Sequence, residues 1–141
     1  MGKDQALFQG NELINIMHPT SYFIGIDVGT QGARVVLMDS GGNLSGSREK
    51  GFPLQEKMRE EQSPADWWNA CLDSLQSLLH ETAVQAYVPF IRAIAVTSTS
   101  GTIIPVDRQH QPLHNAIMYS DGRQTAAGNT CREAALKYNP N

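Results

Sequence analysis

Two short apolar segments separated by a glycine-containing turn form the first clear pattern along the chain. Residues 22–28 are rich in β-branched and aromatic side chains and end at Gly29–Gly32, after which Ala33–Asp39 is again mostly apolar. Two such runs joined by a short turn predict a β-hairpin. The Ser40–Asn43 segment favours a second turn, because Gly and Asn tolerate positive φ, and the more polar Leu44–Leu54 predicts a third strand near the sheet edge. Three consecutive antiparallel strands make a meander.

A helical pattern follows the meander. Ser63 is a suitable N-cap, Pro64 suits the first helical position, and apolar residues then recur at three- and four-residue steps to about Ala86. Trp67 and Trp68, at the start of this helix, are expected to pack in the core. Ile91–Thr99 is almost continuously apolar, which predicts a buried strand. Because the helix is a crossover connection, this strand should run parallel to a strand of the meander.

The remaining segments complete an α/β fold. We predict a short strand at Thr102–Val106, an extended segment at Ala116–Tyr119 and a final helix over Gln124–Tyr138. Residues 1–20 have weak periodicity and are interpreted as a loosely ordered N-terminal extension. The predicted architecture is therefore an antiparallel three-strand meander, a crossover helix and a parallel strand.

Composition excludes several classes of protein. The 141 residues correspond to one domain, and a net charge of −3 with a pI near 5.7 gives no basic surface for nucleic acid or anionic membranes. No apolar run approaches the roughly 20 residues of a membrane span. Cys71 and Cys131 are too few for a disulfide framework, so we expect a reducing cytoplasm and small buried thiols. His80, His110 and His114 lack the spacing of metal ligands and are expected at the surface.

The turn between the first two strands carries candidate phosphate and metal chemistry. The residues concerned are Asp27, Gly29, Thr30, Gln31, Gly32 and Arg34. Glycines let backbone N–H groups approach a phosphate closely, and a Thr hydroxyl adds a donor. Asp27 would face Mg²⁺ or its water shell, and Arg34 would offset phosphate charge. The segment matches neither a Walker A loop nor a dinucleotide-binding fingerprint, and taken alone it fits a plain β-hairpin equally well.

Four blocks in this order resemble one family. Asp27–Arg34 is similar to the first phosphate-binding hairpin of the FGGY family of carbohydrate kinases, and Glu61–Trp68 to that family's Glu-Gln-x-Pro-x-x-Trp-Trp helix opening. Ile94–Thr102 resembles the strand and loop that reach the sugar. Tyr119–Arg123 resembles the Trp-x-Asp-x-Arg motif, with Tyr in place of Trp. Together the blocks cover Tyr22 to about Glu133.

The resemblance implies a fold and an activity. The fold would be a ribonuclease-H-like half-domain of the actin-like ATPase superfamily, with residues 21–141 forming the incomplete N-terminal part of the first kinase domain. The activity would be ATP-dependent, Mg²⁺-assisted phosphorylation of a sugar hydroxyl. In this family the catalytic Asp and the adenosine-binding segment lie downstream of the matched region, so no catalytic residue is expected here and the chain alone should be inactive. The partners would be a small-molecule sugar and ATP, without nucleic acid or membrane; a homodimer of the intact protein stays open.

The sugar side is assigned to Ser100, Gly101, Asp121 and Arg123 on the same resemblance. The Thr99–Thr102 loop differs from the Gln-Met-His-Gly of xylulose kinases and from the Gln-Arg-Glu-Thr of glycerol kinases. The missing Arg-Glu pair disfavours glycerol, and the loop followed by Met118-Tyr119-x-Asp121 looks closer to the ribulose- and xylulose-kinase-like branch, which implies a pentulose such as ribulose or xylulose. An ordinary Ser/Thr turn, and an Asp121–Arg123 pair that only brace each other, remain alternatives. A non-catalytic sugar- or nucleotide-binding module of the same fold is the second functional hypothesis.

Overall fold

A computed structural model describes residues 20–53 and 56–138 of the chain. The elements in chain order are β1 (Tyr22–Val28), β2 (Gly32–Asp39), β3 (Leu44–Gly51), β4 (Glu61–Gln62), α1 (Pro64–Leu79), α2 (Thr82–Gln85), β5 (Ile91–Ser98), β6 (Ala116–Ile117) and α3 (Thr125–Tyr138). One turn of 3-10 helix precedes β5 at Val88–Phe90. The predicted N-terminal extension lies outside the described residues except for its last position.

Four strands form a mixed sheet in the order β3-β2-β1-β5. β1 and β2 are antiparallel, as are β2 and β3, whereas β5 runs parallel to β1. The predicted meander and the predicted parallel strand after the crossover helix are therefore confirmed. β4 and β6 form a separate antiparallel ladder that pairs Glu61 with Ile117 and Gln62 with Ala116.

Helix α1 covers one face of the meander. Its N-cap is the predicted one: the Ser63 side chain accepts a hydrogen bond from the Asp66 N–H at 3.2 Å, and Pro64 follows the cap. Alternate side chains of β1 and β2 point towards the helices, as the period of two in a strand requires. The main buried cluster on this face consists of Ile24, Val35, Leu37, Leu78 and Val84.

A second buried cluster lies under the turn that joins β1 to β2. Ala33, Phe52 and Ala70 form it, and the Trp67 ring packs on it with its centroid 6.4 Å from that of Phe52. Trp67 therefore has the predicted packing role, but Trp68 is 65% exposed and does not. The candidate phosphate-binding turn thus rests on a packed apolar base.

Two predicted elements end earlier than their patterns indicated. The helix expected to reach Ala86 stops at Leu79, since Glu81 adopts an extended backbone and its carboxylate lies 2.6 Å from the Arg48 guanidinium of β3. The third strand, expected to reach Leu54, ends at Gly51 because Phe52 turns into the core. In both places a tertiary contact overrides the local pattern.

The prediction for β5 is right in position and direction but wrong in burial. Ile94 is 55% exposed and Val96 is 66% exposed within the described part of the chain. Both residues lie beside buried or half-buried positions of β1, but α1 packs mainly on β2 and β3 and does not extend over β5. Apolar composition identified the strand; burial depends on which elements cover it.

Two further expectations need correction. Thr102–Val106 is not a strand but makes isolated bridges, between Ile103 and Ile117 and between Val106 and Pro112. Cys131 is exposed on α3, which has no buried residue among those described, so it is not a core thiol. In the described ranges, no helix combines the length and apolar character needed to cross a bilayer.

Gly32 is constrained by the close approach of β3. A Cβ atom there would lie 2.5 Å from the Lys50 carbonyl oxygen and 3.0 Å from the Gly51 Cα. We expect Gly32→Ala to lower the free energy of unfolding by about 1–3 kcal/mol, because backbone atoms must move to admit the methyl group. Chemical denaturation measures this, with Gly122→Ala as the control, since no heavy atom lies within 4 Å of its added Cβ. Equal stability of the two variants would contradict the proposed steric constraint.

Candidate functional site

Hydrogen bonds fix the backbone of the turn between β1 and β2. Three successive carbonyls accept hydrogen bonds within the protein: Thr30 O from Gln62 Nε2 at 2.9 Å, Gln31 O from Phe52 N at 2.9 Å, and Gly32 O from Gly29 N of the same turn at 3.0 Å. These carbonyl oxygens are therefore occupied by donors of the protein itself and do not need an external partner.

The donors of the same turn are free for a ligand. Neither the Thr30 N–H nor the Gln31 N–H donates a hydrogen bond to any residue of 20–53 or 56–138. A turn whose oxygens are held by internal donors and whose N–H groups have no internal acceptor has the arrangement of donors that an anion site requires. The half-buried Thr30 also brings a hydroxyl to this position.

All six predicted phosphate-side residues line one open cavity of about 400 Å³. The wall is completed by Ala33, Glu49, Lys50 and Gly51. The structure thus brings the turn, the end of β1 and the start of β2 together, and adds the end of β3, which the sequence did not indicate.

Charges in this cavity are balanced. Arg34 donates to one Glu49 oxygen from Nε at 3.1 Å and from Nη2 at 2.9 Å, and Lys50 pairs with Asp73 of α1. The Arg34 and Glu49 side chains are 62% and 69% exposed. An exposed ion pair of this kind contributes about 0–1 kcal/mol, so a phosphate could displace Glu49 from Arg34 at little cost.

The phosphate-side cavity offers Asp27 as a single carboxylate ligand for Mg²⁺. Asp27 lies across from Arg34 in the strand register, and its carboxylate is exposed at the end of β1. Within the described ranges, no three acidic, His or Cys side chains converge in a way that could hold a metal. Mg²⁺ commonly binds through one or two carboxylates together with substrate phosphates and water. Asp27 therefore fits a metal that arrives with a nucleotide.

A second cavity, of about 580 Å³, joins the turn to the segment after β6. Its lining includes Thr30 and Gln31 on the turn, Gln62 at the end of β4, and Tyr119 in the later segment. Tyr119 is 59% exposed and is the aromatic residue of this lining that lies after β6. Sequence reasoning did not assign Gln62 or Tyr119 to the site, although both stand inside motifs that it singled out.

The predicted sugar-side loop packs against the Tyr119 segment. Gly101 has φ +75°, a conformation that favours glycine, and a Cβ built on it would lie 3.3 Å from the Tyr119 Cβ. The hydroxyls of Thr99 and Thr102 are 3.1 Å apart and close the loop locally, and Ser100 is exposed at its tip. Gly101 therefore lies beside Tyr119, whereas neither Ser100 nor Gly101 is among the residues that line the 580 Å³ cavity.

Asp121 and Arg123 brace each other. The Asp121 side chain is only 3% exposed and accepts from the Arg123 backbone N–H at 2.9 Å, from Nε at 3.0 Å and from Nη2 at 2.7 Å. Arg123 also lies 2.7 Å from Glu61 and 3.8 Å from Glu60. Its hydrogen bonds hold the pKa of Asp121 and that of Glu61 below their ordinary values, and these carboxylates raise the pKa of Arg123. The geometry therefore favours the bracing alternative for this pair.

Comparison with known proteins places these features in a family. The sequence profile of the N-terminal domain of the FGGY family of carbohydrate kinases matches residues 22–139, which include both cavities. The chain belongs to the FGGY family of carbohydrate kinases.

Individual FGGY relatives differ in the substrates for which they are named. The xylulose kinase of Bacillus subtilis (strain 168) is 34% identical over 106 residues, which are 74% of this chain and 21% of that protein. The glycerol kinase of Marinomonas sp. (strain MWYL1) is 32% identical over 107 residues, 74% of this chain and 21% of the relative. The expected preference for the xylulose-kinase branch over the glycerol-kinase branch is therefore not confirmed by similarity.

Solved FGGY structures confirm the fold. The xylulose kinase from Brucella ovis superposes with a TM-score of 0.70 at 22% identity, over 83% of this chain and 25% of that one. The predicted ribonuclease-H-like, actin-like ATPase architecture is thus confirmed. The chain spans about a fifth of the length of the curated FGGY kinases it matches.

Because Arg123 lowers the pKa of Asp121, we expect the folded chain to lose stability in acid. A carboxyl whose pKa is lowered by folding stabilises the protein above its ordinary pKa of about 4, and that contribution disappears as the pH falls towards the lowered value. We expect the free energy of unfolding to fall below about pH 4, and Asp121→Asn to be less stable at neutral pH with a shallower acid dependence.

Urea denaturation between neutral pH and about pH 2.5 measures this effect. Glu133→Gln, which changes an exposed carboxylate on α3, is the matched control and should keep the original pH dependence. If Asp121→Asn loses stability in acid as steeply as the unchanged chain, another carboxylate is responsible.

Proposed function

We propose that the intact protein transfers the γ-phosphoryl group of ATP to a hydroxyl of a small sugar, and that this chain supplies the first phosphate-binding turn. The observation that carries the proposal is the backbone of that turn, which directs its oxygens into the protein and leaves the N–H groups of Thr30 and Gln31 available. Phosphoryl transfer depends mainly on positioning and on stabilising charge, and such a turn provides both.

The sugar would lie on the Tyr119 side of the larger cavity. An aromatic face with nearby hydroxyl and backbone groups suits a polyol, and the turn that would hold the phosphates lines the same cavity. Ser100 and Gly101 would border the sugar, as proposed from the sequence. Asp121 and Arg123 would act on it through the position of the Tyr119 segment.

Each residue of the turn would have a separate part in binding. The N–H groups of Thr30 and Gln31 and the Thr30 hydroxyl would donate to phosphate oxygens. Arg34 would exchange Glu49 for phosphate. Asp27 would contribute one ligand to Mg²⁺ or to its water, and the bound metal would neutralise phosphate charge. The base that accepts the proton of the sugar hydroxyl is proposed to lie outside the described residues.

A pentulose such as xylulose or ribulose is the proposed acceptor. The names of the xylulose kinases among the relatives support it, and so does the Thr99–Thr102 loop, which lacks the Arg-Glu pair of glycerol kinases. Glycerol kinases are equally similar overall, so the acceptor must be measured.

A coupled ADP-release assay on the full-length protein tests the proposal. We expect sugar-dependent ADP release that is highest with a pentulose in a panel of pentuloses, hexuloses and polyols. Release that is highest with glycerol would keep the kinase and overturn the proposed acceptor. Binding of sugar and ATP without turnover would favour the alternative of a non-catalytic binding module.

The turn itself is tested by Thr30→Ala and Asp27→Ala in the full-length protein. Loss of one hydrogen bond to a charged phosphate in Thr30→Ala, or of the proposed Mg²⁺ ligand in Asp27→Ala, should lower kcat/KM for ATP by roughly 10- to 100-fold, while the sugar Kd changes less than about twofold. Thr130→Ala is the control, because that hydroxyl bonds only the Ala126 carbonyl within α3. Equal losses in phosphoryl transfer and in sugar binding would contradict the phosphate assignment.

A further inference from the structure

Gln62 is a buried polar residue whose side-chain amide is engaged at both ends. The residue is 5% exposed. Its Nε2 donates to Thr30 O and to Met58 O, each at 2.9 Å, and its Oε1 accepts from Trp67 Nε1 at 2.8 Å. Both amide hydrogens and the oxygen are therefore used, which is what a buried amide requires.

The hydrogen bond from Trp67 Nε1 fixes the orientation of the Gln62 side-chain amide. An indole Nε1–H can only donate, so the Gln62 oxygen must face Trp67. The NH₂ group must then face the carbonyls of Thr30 and Met58, which can only accept. The Trp67 ring is itself held on the cluster that contains Phe52, so the chain of contacts starts in the core.

The bond from Gln62 to Thr30 sets the direction of a neighbouring donor. The Thr30 carbonyl and the Gln31 N–H belong to the same peptide group, and no peptide among the described residues is cis. In a trans peptide these two groups point in opposite directions. When Gln62 holds the Thr30 oxygen towards the protein interior, the Gln31 N–H must point away from it, towards the side on which the turn is open.

The backbone around Gln62 is paired with the segment that leads to Tyr119. The Gln62 backbone pairs with Ala116 of β6, and the neighbouring Glu60 carbonyl accepts from the Met118 N–H at 2.9 Å. The β6 strand leads directly to Tyr119, which lines the larger cavity. Gln62 therefore contacts the turn through its side chain, and its backbone pairs with β6, the strand that precedes Tyr119.

We propose that Gln62 is the positioning residue of the phosphate-binding turn. It orients the Gln31 N–H towards phosphate, and it fixes the position of the turn relative to residues 118–120, which line the other side of the larger cavity. This inference rests on the proposed function, because it assigns a role within that same site. Gln62 would touch neither substrate, and its effect would pass through the Thr30–Gln31 peptide.

The test is a titration of the ¹⁵N-labelled chain with inorganic pyrophosphate, followed through the amide signals of Thr30 and Gln31. We expect both signals to shift in the unchanged chain. In Gln62→Met, which has similar volume but no donor, pyrophosphate should bind about tenfold more weakly and the Gln31 shift should be largely lost. Gln62→Leu, which also lacks a donor to the Thr30 oxygen, should behave in the same way.

Val84→Ala separates positioning from stability. Val84 is fully buried in the other cluster, so its truncation lowers stability without touching the turn. We expect Val84→Ala to unfold more easily and still bind pyrophosphate as the unchanged chain does. Should Gln62→Met fail to fold, Gln62→Leu and Trp67→Phe carry the test. Trp67→Phe removes the Nε1 donor together with part of the ring, so the Gln31 shift should become smaller.

The outcomes distinguish this inference from the proposed function. If Thr30 and Gln31 shift equally in the unchanged chain and in folded Gln62 variants, the turn binds phosphate and the role of Gln62 is wrong. An equal loss of binding in Val84→Ala and Gln62→Met would also overturn it, since general destabilisation would then explain both. If the unchanged chain shows no shift at these amides, the phosphate assignment itself fails, and the inference fails with it.

Discussion

A trans peptide cannot direct its carbonyl and its N–H to the same side, and the candidate phosphate-binding turn depends on that constraint. The chain supplies donors for the carbonyls of Thr30, Gln31 and Gly32 from three different places. Each donor that holds an oxygen inward leaves an N–H on the other side of the same peptide. The Gln62 amide acts in this way on the peptide that carries the Gln31 N–H, and the Phe52 N–H on the peptide that carries the Gly32 N–H, so the proposed anion site would depend on groups behind the turn.

Backbone donors at short range matter here because the net charge of the chain does not attract an anion. The chain has a net charge of −3, and the cations in the smaller cavity, Arg34 and Lys50, are each paired with a carboxylate. An acidic chain has no general attraction for a nucleotide, so the affinity must come from oriented N–H groups at short range. The exposed Arg34–Glu49 pair adds a cation that becomes available only when a ligand competes for it.

Much of the fold could be predicted because its signals are local. The meander follows from alternating apolar positions and turn residues, and the start of α1 follows from Ser63 and Pro64. The exposure of Ile94 and Val96 could not be predicted, since it depends on where α1 packs rather than on the strand itself. The early end of α1 has a similar origin, because Glu81 pairs with Arg48 on a distant strand.

The candidate site was predictable in its parts but not in its connections. The glycines and Thr30 indicated the turn, yet the hydrogen bond between Gln62 and Thr30 spans 32 residues and leaves no periodic signal in the sequence. Gln62 stood in a motif that was interpreted only as a helix opening. The Asp121–Arg123 pair shows the opposite case. Its residues were identified, but geometry was needed to favour a mutual brace over a direct contact with sugar.

The β4 strand and the residue before it connect the phosphate-side turn with the Asp121–Arg123 pair. Gln62 contacts the phosphate-side turn, while its neighbours Glu61 and Glu60 form ion pairs with Arg123 beyond Tyr119. In-line transfer between two bound molecules is sensitive to displacements of about 1 Å. A short strand that holds both sides would keep the distance between them constant. The physical importance of the Glu-Gln pair would then lie in spacing the two substrates, not in binding either of them.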